Sequence, residues 1–143
     1  MSIWNESLPG VVTLPDGRRV RGRGISDGTP EGELVPEFGL YLTGERHGEP
    51  GWESRWVRWP DFRLPNDTVD ALDAIRDAFS RAATTKVEIA CDGGTGRTGS
   101  AIAMLARLAG IPSVDAVAWV RANYRPLAVE TRRQRRWVAR TPL

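Results

Sequence analysis

The run KVEIACDGGTGRTGSAIAMLARLAG, residues 86–110, constrains this chain more than any other. Lys86 to Ala90 is a short, largely apolar stretch that reads as a buried strand. Thr98 to Ala109 is apolar almost all round (Ala101, Ile102, Met104, Leu105, Leu108), with Gly110 as its stop and Pro112 just after, which describes a central, buried helix. Between them lies a glycine-rich turn. A strand feeding a helix through such a turn presents backbone N–H groups and the positive end of the helix dipole to one point, a setting that favours an anion.

The flanking segments complete an α/β pattern. Nine of the 15 glycines fall in the first 48 residues, so this part is rich in loops. Within it, Val11 to Leu14 and Arg18 to Arg23 flank Pro15-Asp16-Gly17 and predict a hairpin. Phe38 to Leu42 and Ser54 to Trp59 read as further strands. After Pro65, with Asn66 or Asp67 as N-cap, Val69, Leu72, Ile75, Phe79 and Ala82 recur at helical steps and predict an amphipathic helix ending near Ala83. Ser113 is placed to cap another helix, through Asn123, that carries Val114, Val117 and Val120. Thr131 and Gln134 have the spacing of a capping box at the start of a last helix, on which Trp137 and Val138 face the core. Strand, helix, strand, turn, helix in this order argues for helices packed on a sheet in a single domain, residues 1–143.

Three chemistries use a glycine-rich turn of this kind, and side chains separate them. Gly94-x-Gly96-x-x-Gly99 formally matches a dinucleotide-binding pattern, but the next segments are helix, Pro112 and helix rather than a second strand ending in an acid. A nucleotide-hydrolysing loop would require glycine where Cys91 stands and lysine where Arg97 stands. The third possibility pairs Cys91, the only cysteine, with Arg97. At the mouth of a helix, ringed by amides and close to a guanidinium, the thiolate is favoured over the thiol. Six residues on, Arg97 can grip two phosphate oxygens with its planar fork, while the glycines let successive N–H groups turn inward.

Cys91-Asp92-Gly93-Gly94-Thr95-Gly96-Arg97-Thr98 resembles the Cys-x5-Arg-Ser/Thr loop of the cysteine-dependent protein tyrosine and dual-specificity phosphatases. Trp59-Pro60-Asp61-Phe62-Arg63-Leu64-Pro65 resembles the WPD loop of the same superfamily, and Asp61 precedes the cysteine by 30 residues. Ala128-Val129-Glu130-Thr131-x-x-Gln134 is similar to the segment that carries a water-positioning glutamine in some members. These matches span residues 52 to 138. The resemblance implies a compact mixed sheet flanked by helices, and a phosphatase acting on phosphotyrosine or dual-specificity phosphoprotein substrates, or on small phosphomonoesters, through a cysteinyl-phosphate.

The roles implied are specific. Cys91 is the nucleophile, and Asp61 is the proton donor that expelling an alkoxide or phenoxide at neutral pH requires. Arg97 and the loop positions Asp92, Gly93, Gly94, Thr95 and Gly96 hold the phosphoryl oxygens. Thr98 stabilises the departing thiolate. Gln134 either orients the hydrolytic water or closes the capping box with Thr131. In most of the family a histidine precedes the cysteine, whereas this chain has Ala90. That departure raises the alternative of a pseudophosphatase that binds phosphorylated partners without turnover. An acidic Asp92 argues against a polyphosphorylated lipid as substrate.

Composition narrows the partners. One cysteine and one histidine, His47 in a polar stretch that reads as a solvated loop, leave no basis for a metal site, and no cofactor is implied. Basic residues are interleaved with acids to a net charge of +2, which gives no nucleic-acid footprint. The exception is a basic run, Arg132, Arg133, Arg135 and Arg136, which reads as a solvated helix face. No apolar run is long enough for a membrane span, and no secretory signal opens the chain, so the expected location is cytoplasmic.

Overall fold

The strand that leads into the glycine-rich turn is the central strand of the molecule. In the computed structural model, which describes residues 2–47 and 51–143, the strands are β1 (Val11–Thr13), β2 (Arg19–Gly24), β3 (Phe38–Thr43), β4 (Glu53–Arg58) and β5 (Val87–Cys91). They form one sheet in the order β1-β2-β5-β3-β4. β1 runs antiparallel to β2 in the expected hairpin, and the other pairs are parallel. This is the mixed sheet that the sequence predicts. The helices are α1 (Thr68–Arg81), α2 (Gly96–Leu108), α3 (Ala116–Asn123) and α4 (Arg132–Arg140). α2 packs on β2 and β5 and touches α1, α3 and α4. Among the described residues no helix is long and apolar enough to cross a membrane.

α2 forms the heart of the core. Ala101, Ile102, Ala103, Met104, Leu105 and Ala106 are fully buried, and each large side chain among them contributes about 1.5–3 kcal/mol by leaving water. α1 begins where expected, with the Asp67 side chain accepting from the Asp70 N–H at 3.1 Å. Its buried face is Ala71, Leu72, Ala74, Ile75 and Ala78, whereas Val69 is 79% exposed. Steps of three residues rotate by about −60° on a helix, so Val69 sits about 120° away from Ile75 and leaves the core stripe. Val114 is likewise exposed. Pro112 accepts from the Asp115 N–H at 2.9 Å, which makes Ser113–Asp115 a 3₁₀ turn, and α3 starts only at Ala116 with no cap from Ser113.

β2 differs most from its sequence. Arg19-Val20-Arg21-Gly22-Arg23-Gly24 reads as polar hairpin, yet Arg21 and Arg23 are buried. The cause is Glu88 on β5, which has no exposed surface. Its carboxylate accepts from Arg21 Nη2, from Arg23 Nε at 2.8 Å and Nη2 at 2.9 Å, and from Tyr41 Oη at 2.7 Å. Arg21 lies directly across from Glu88 in the register, as does Gly39 of β3. Three parallel strands thus share one buried carboxylate. Burial alone would push the Glu88 carboxyl up, but the bonds from Arg23 and Tyr41 and the charges of Arg21 and Arg23 hold it below its ordinary value.

Glu88→Gln removes the charge that Arg21 and Arg23 neutralise, so thermal unfolding is expected to register a loss of about 3–5 kcal/mol. Because the folded-state value of Glu88 is depressed, its contribution is present above the unfolded carboxylate value near about pH 4.3 and is lost as pH falls through the folded one. Urea titrations from neutral to acid pH should therefore give a steeper fall in stability for the native chain than for Glu88→Gln.

Candidate active site

Cys91 ends β5, opposite Gly24 of β2. Its buried Sγ accepts from the Gly94 N–H at 3.2 Å and from Thr98 Oγ1 at 3.0 Å. Residues 92–94 curl because each carbonyl is held outward. Asp92 O accepts from Ser26 N at 3.0 Å and Ser26 Oγ at 2.8 Å, Gly93 O from Arg125 Nη1 at 2.9 Å, and Gly94 O from Tyr124 Oη. With the carbonyls engaged outside, the Gly94 amide faces in toward the sulfur. Gly94 permits this with φ +75° and lies so close to β2 that a Cβ would stand 2.5 Å from the Gly24 nitrogen.

The first turn of α2 has no side-chain cap. Thr95 is the N-cap, but its side chain caps no helix amide and accepts instead from Arg125 Nη1 at 3.1 Å. α1 and α4, by contrast, are both capped by side chains. The helix begins two residues earlier than its apolar pattern suggests, at Gly96, and this puts Arg97 and Thr98 in the first turn. The amides of that turn have no partner within the helix.

Arg97 joins this loop to a second segment. Its guanidinium is almost wholly buried, and Nη1 donates to Trp59 O at 3.0 Å. Nη2 lies 3.2 Å from Asp92 Oδ2 and 3.3 Å from Asp61 Oδ1, while Nε is buried with no partner. Trp59 is buried, donates through Nε1 to Arg63 O at 2.7 Å, and meets Trp137 edge-on with ring centroids 5.2 Å apart. Asp61 and Phe62 stand exposed on this short turn, and Phe62 takes the left-handed φ of +59°. A cleft of about 430 Å³ opens over Arg97, between Pro60, Asp61 and Asp92 on one side and Thr43 to His47 on the other.

The protein-tyrosine phosphatase family model matches residues 36–142. The chain belongs to that family. A solved structure of Tk-PTP in its active form superimposes with a TM-score of 0.67 at 26% identity, over 90% of this chain and 92% of that one. A glycine-to-alanine mutant form of Tk-PTP matches with a TM-score of 0.59 at 27% identity, over 70% of this chain and 73% of that one. The comparison with curated proteins found no match.

In this phosphatase Arg97 reaches both Asp61 and Asp92, Cys91 bonds to Thr98, and the Gln134 side chain is bonded to backbone groups. The Gln134 side chain is fully buried: Oε1 accepts from the N–H groups of Glu130 at 3.0 Å and Thr131 at 3.3 Å, and Nε2 donates to Arg63 O at 3.1 Å. The capping box is complete. His47, expected in a solvated loop, is half-buried, with its ring 4.8 Å from that of Tyr41. Arg121 donates to the carbonyls of Ala128 and Val129 at 2.8 and 2.7 Å and so holds Val129, a β-branched residue, at φ +64° beside the site.

Sequence reasoning missed Ser26, Tyr124 and Arg125, the residues that shape the loop from outside. The only signal for Tyr124 is a glycine a hundred residues away: a Cβ on Gly22 would lie 2.4 Å from the Tyr124 ring. Burial and the neighbouring Cys91 raise the Tyr124 hydroxyl far above its ordinary value, although the Arg125 charge opposes them. It therefore remains a donor throughout the working range. Tyr124→Phe should leave the Gly94 carbonyl unpaired and cost about 1–3 kcal/mol in thermal unfolding, with weaker binding of inorganic phosphate in calorimetry. Gly22→Ala strikes the same contact. The double variant is expected to lose less than the sum of the two single losses.

Proposed function

We propose that this phosphatase acts on phosphotyrosine or dual-specificity phosphoprotein substrates through a cysteinyl-phosphate intermediate. The observation that carries the reading is the pairing of the buried Arg97 guanidinium with Asp61 across the cleft, on the loop whose first residue, Cys91, takes a hydrogen bond on sulfur from Thr98, the residue after Arg97. In the first step the Cys91 thiolate attacks phosphorus in line. The S–P bond forms as the P–O bond to the leaving group breaks, and Asp61 delivers its proton to the leaving oxygen. Arg97 and the inward amides of residues 93–97 stabilise the equatorial oxygens. In the second step a water attacks phosphorus, Asp61 takes its proton, and the S–P bond breaks. Thr98 Oγ1, already donating to sulfur, receives the thiolate.

Other residues act by positioning. Gln134 fixes the Arg63 carbonyl, which also accepts from Trp59, and so sets the turn that carries Asp61. Tyr124, Arg125 and Ser26 do for the loop what a histidine before the cysteine does elsewhere in the family. Ala90 occupies that place here, fully buried between Arg23 and Tyr41 in the sheet. A lone thiolate of this kind suits a reducing compartment such as the cytoplasm.

Aryl phosphate hydrolysis followed near neutral pH tests the reading. Cys91→Ser should abolish turnover. Asp61→Ala should lower kcat by about 10²–10⁴-fold, as general acids do, and should lower it least for leaving groups that need no proton. Rapid quenching should trap a phosphorylated Cys91. Full activity in Cys91→Ser, or equal rates in Asp61→Ala across all leaving groups, would overturn the mechanism.

A further inference from the structure

We infer that Asp92 is a specificity-determining residue which selects phosphomonoesters bearing a cationic group next to the phosphate, such as a phosphopeptide with lysine or arginine adjoining the phosphorylated residue. The inference deepens the phosphatase reading above and rests on it for the identity of the phosphoryl site. It starts from the ion pair between Asp92 Oδ2 and Arg97 Nη2 at 3.2 Å, inside the very loop that receives phosphate.

That ion pair occupies the group the substrate needs. Arg97 is buried, its Nη1 is committed to the Trp59 carbonyl, and its Nε has no partner. Nη2 is left as the contested donor, with Asp92 and Asp61 both within reach. Both carboxylates approach from the solvent side, with side chains 66% and 56% exposed. They stand where an arriving phosphoryl group must place its oxygens. Binding therefore requires an exchange, in which phosphate takes Arg97 and Asp92 gives it up.

The exchange leaves Asp92 without its ion-pair partner. Among the described residues Arg97 is its sole ion-pair partner, and its backbone cannot retreat, because its carbonyl is pinned by two bonds from Ser26. Arg46, which lines the cleft with His47, lies 5.9 Å over the Trp56 ring. Glu45 adds a further exposed carboxylate. Once phosphate neutralises Arg97, the rim of the site is acidic, and a carboxylate faces a dianion. A cation carried by the substrate relieves both conditions at once: it pairs with Asp92 at the moment Arg97 is taken. A neutral flanking group leaves the repulsion standing, and an acidic one adds to it.

Phosphotyrosine peptides that differ only at the residues adjoining the phosphotyrosine (lysine, alanine or glutamate) test the inference. For the native protein kcat/KM should fall in the order lysine, alanine, glutamate, by about three- to fivefold per step, as exposed ion pairs warrant. Asp92→Asn should flatten that ladder and tighten inhibition by inorganic phosphate and vanadate, whereas Asp92→Glu should keep the ladder. Binding of inorganic phosphate by calorimetry, compared between Cys91→Ser and the double variant Cys91→Ser/Asp92→Asn, reads the exchange without turnover. Tighter binding in the double variant supports the gate even if hydrolysis fails, and failed hydrolysis would count against the proposed chemistry alone. Equal phosphate affinity in the two proteins would overturn the gate, as would a flat ladder for the native protein or an unchanged ladder in Asp92→Asn.

Discussion

A single buried carboxylate governs the arrangement of the sheet. Glu88 sits three residues before Cys91 on the central strand and binds Arg21 and Arg23 of β2 and Tyr41 of β3. An unpaired charge at that depth would cost several kcal/mol, so the strands on both sides are obliged to supply donors at a fixed height. The end of β5 is thereby set against Gly24, and Gly94 of the loop seats on the same edge of β2. The charge network lies beneath the site and takes no part in the chemistry. What it fixes is where the thiol stands.

Above that base, the site depends on carbonyls as much as on amides. A loop of consecutive peptide units can present its N–H groups inward only if its C=O groups find donors outside. Ser26, Arg125 and Tyr124 are those donors, and they come from the segment after β2 and from the end of α3. The loop is thus held by two parts of the chain that are remote from it in sequence.

How much of this could be read beforehand follows from how local each cause is. Cys91, Arg97, Thr98 and Asp61 were legible because the turn, the helix start and the proline-bounded segment are short-range patterns. The capping box of Thr131 and Gln134 was legible for the same reason. In the structure that Gln134 amide is bonded to backbone groups at both ends. β2 was not legible as a buried strand, because its arginines are explained only by Glu88, 67 residues from Arg21. Tyr124 and Gly22 were hidden for the same reason. Neither residue carries a local signal, and only their contact across the sheet gives them meaning.

The place of β2 bears on where this folding unit can be divided. The family match begins at residue 36, yet β5 is paired on one side by β2, residues 19–24. A chain cut at the start of the matched segment would turn its central strand into an edge strand, with Glu88 stripped of both arginines and a row of peptide groups open to association. The segment matched by the family, residues 36–142, therefore lacks a strand that its own sheet depends on. The glycine-rich opening segment behaves as an inseparable wall of the catalytic unit.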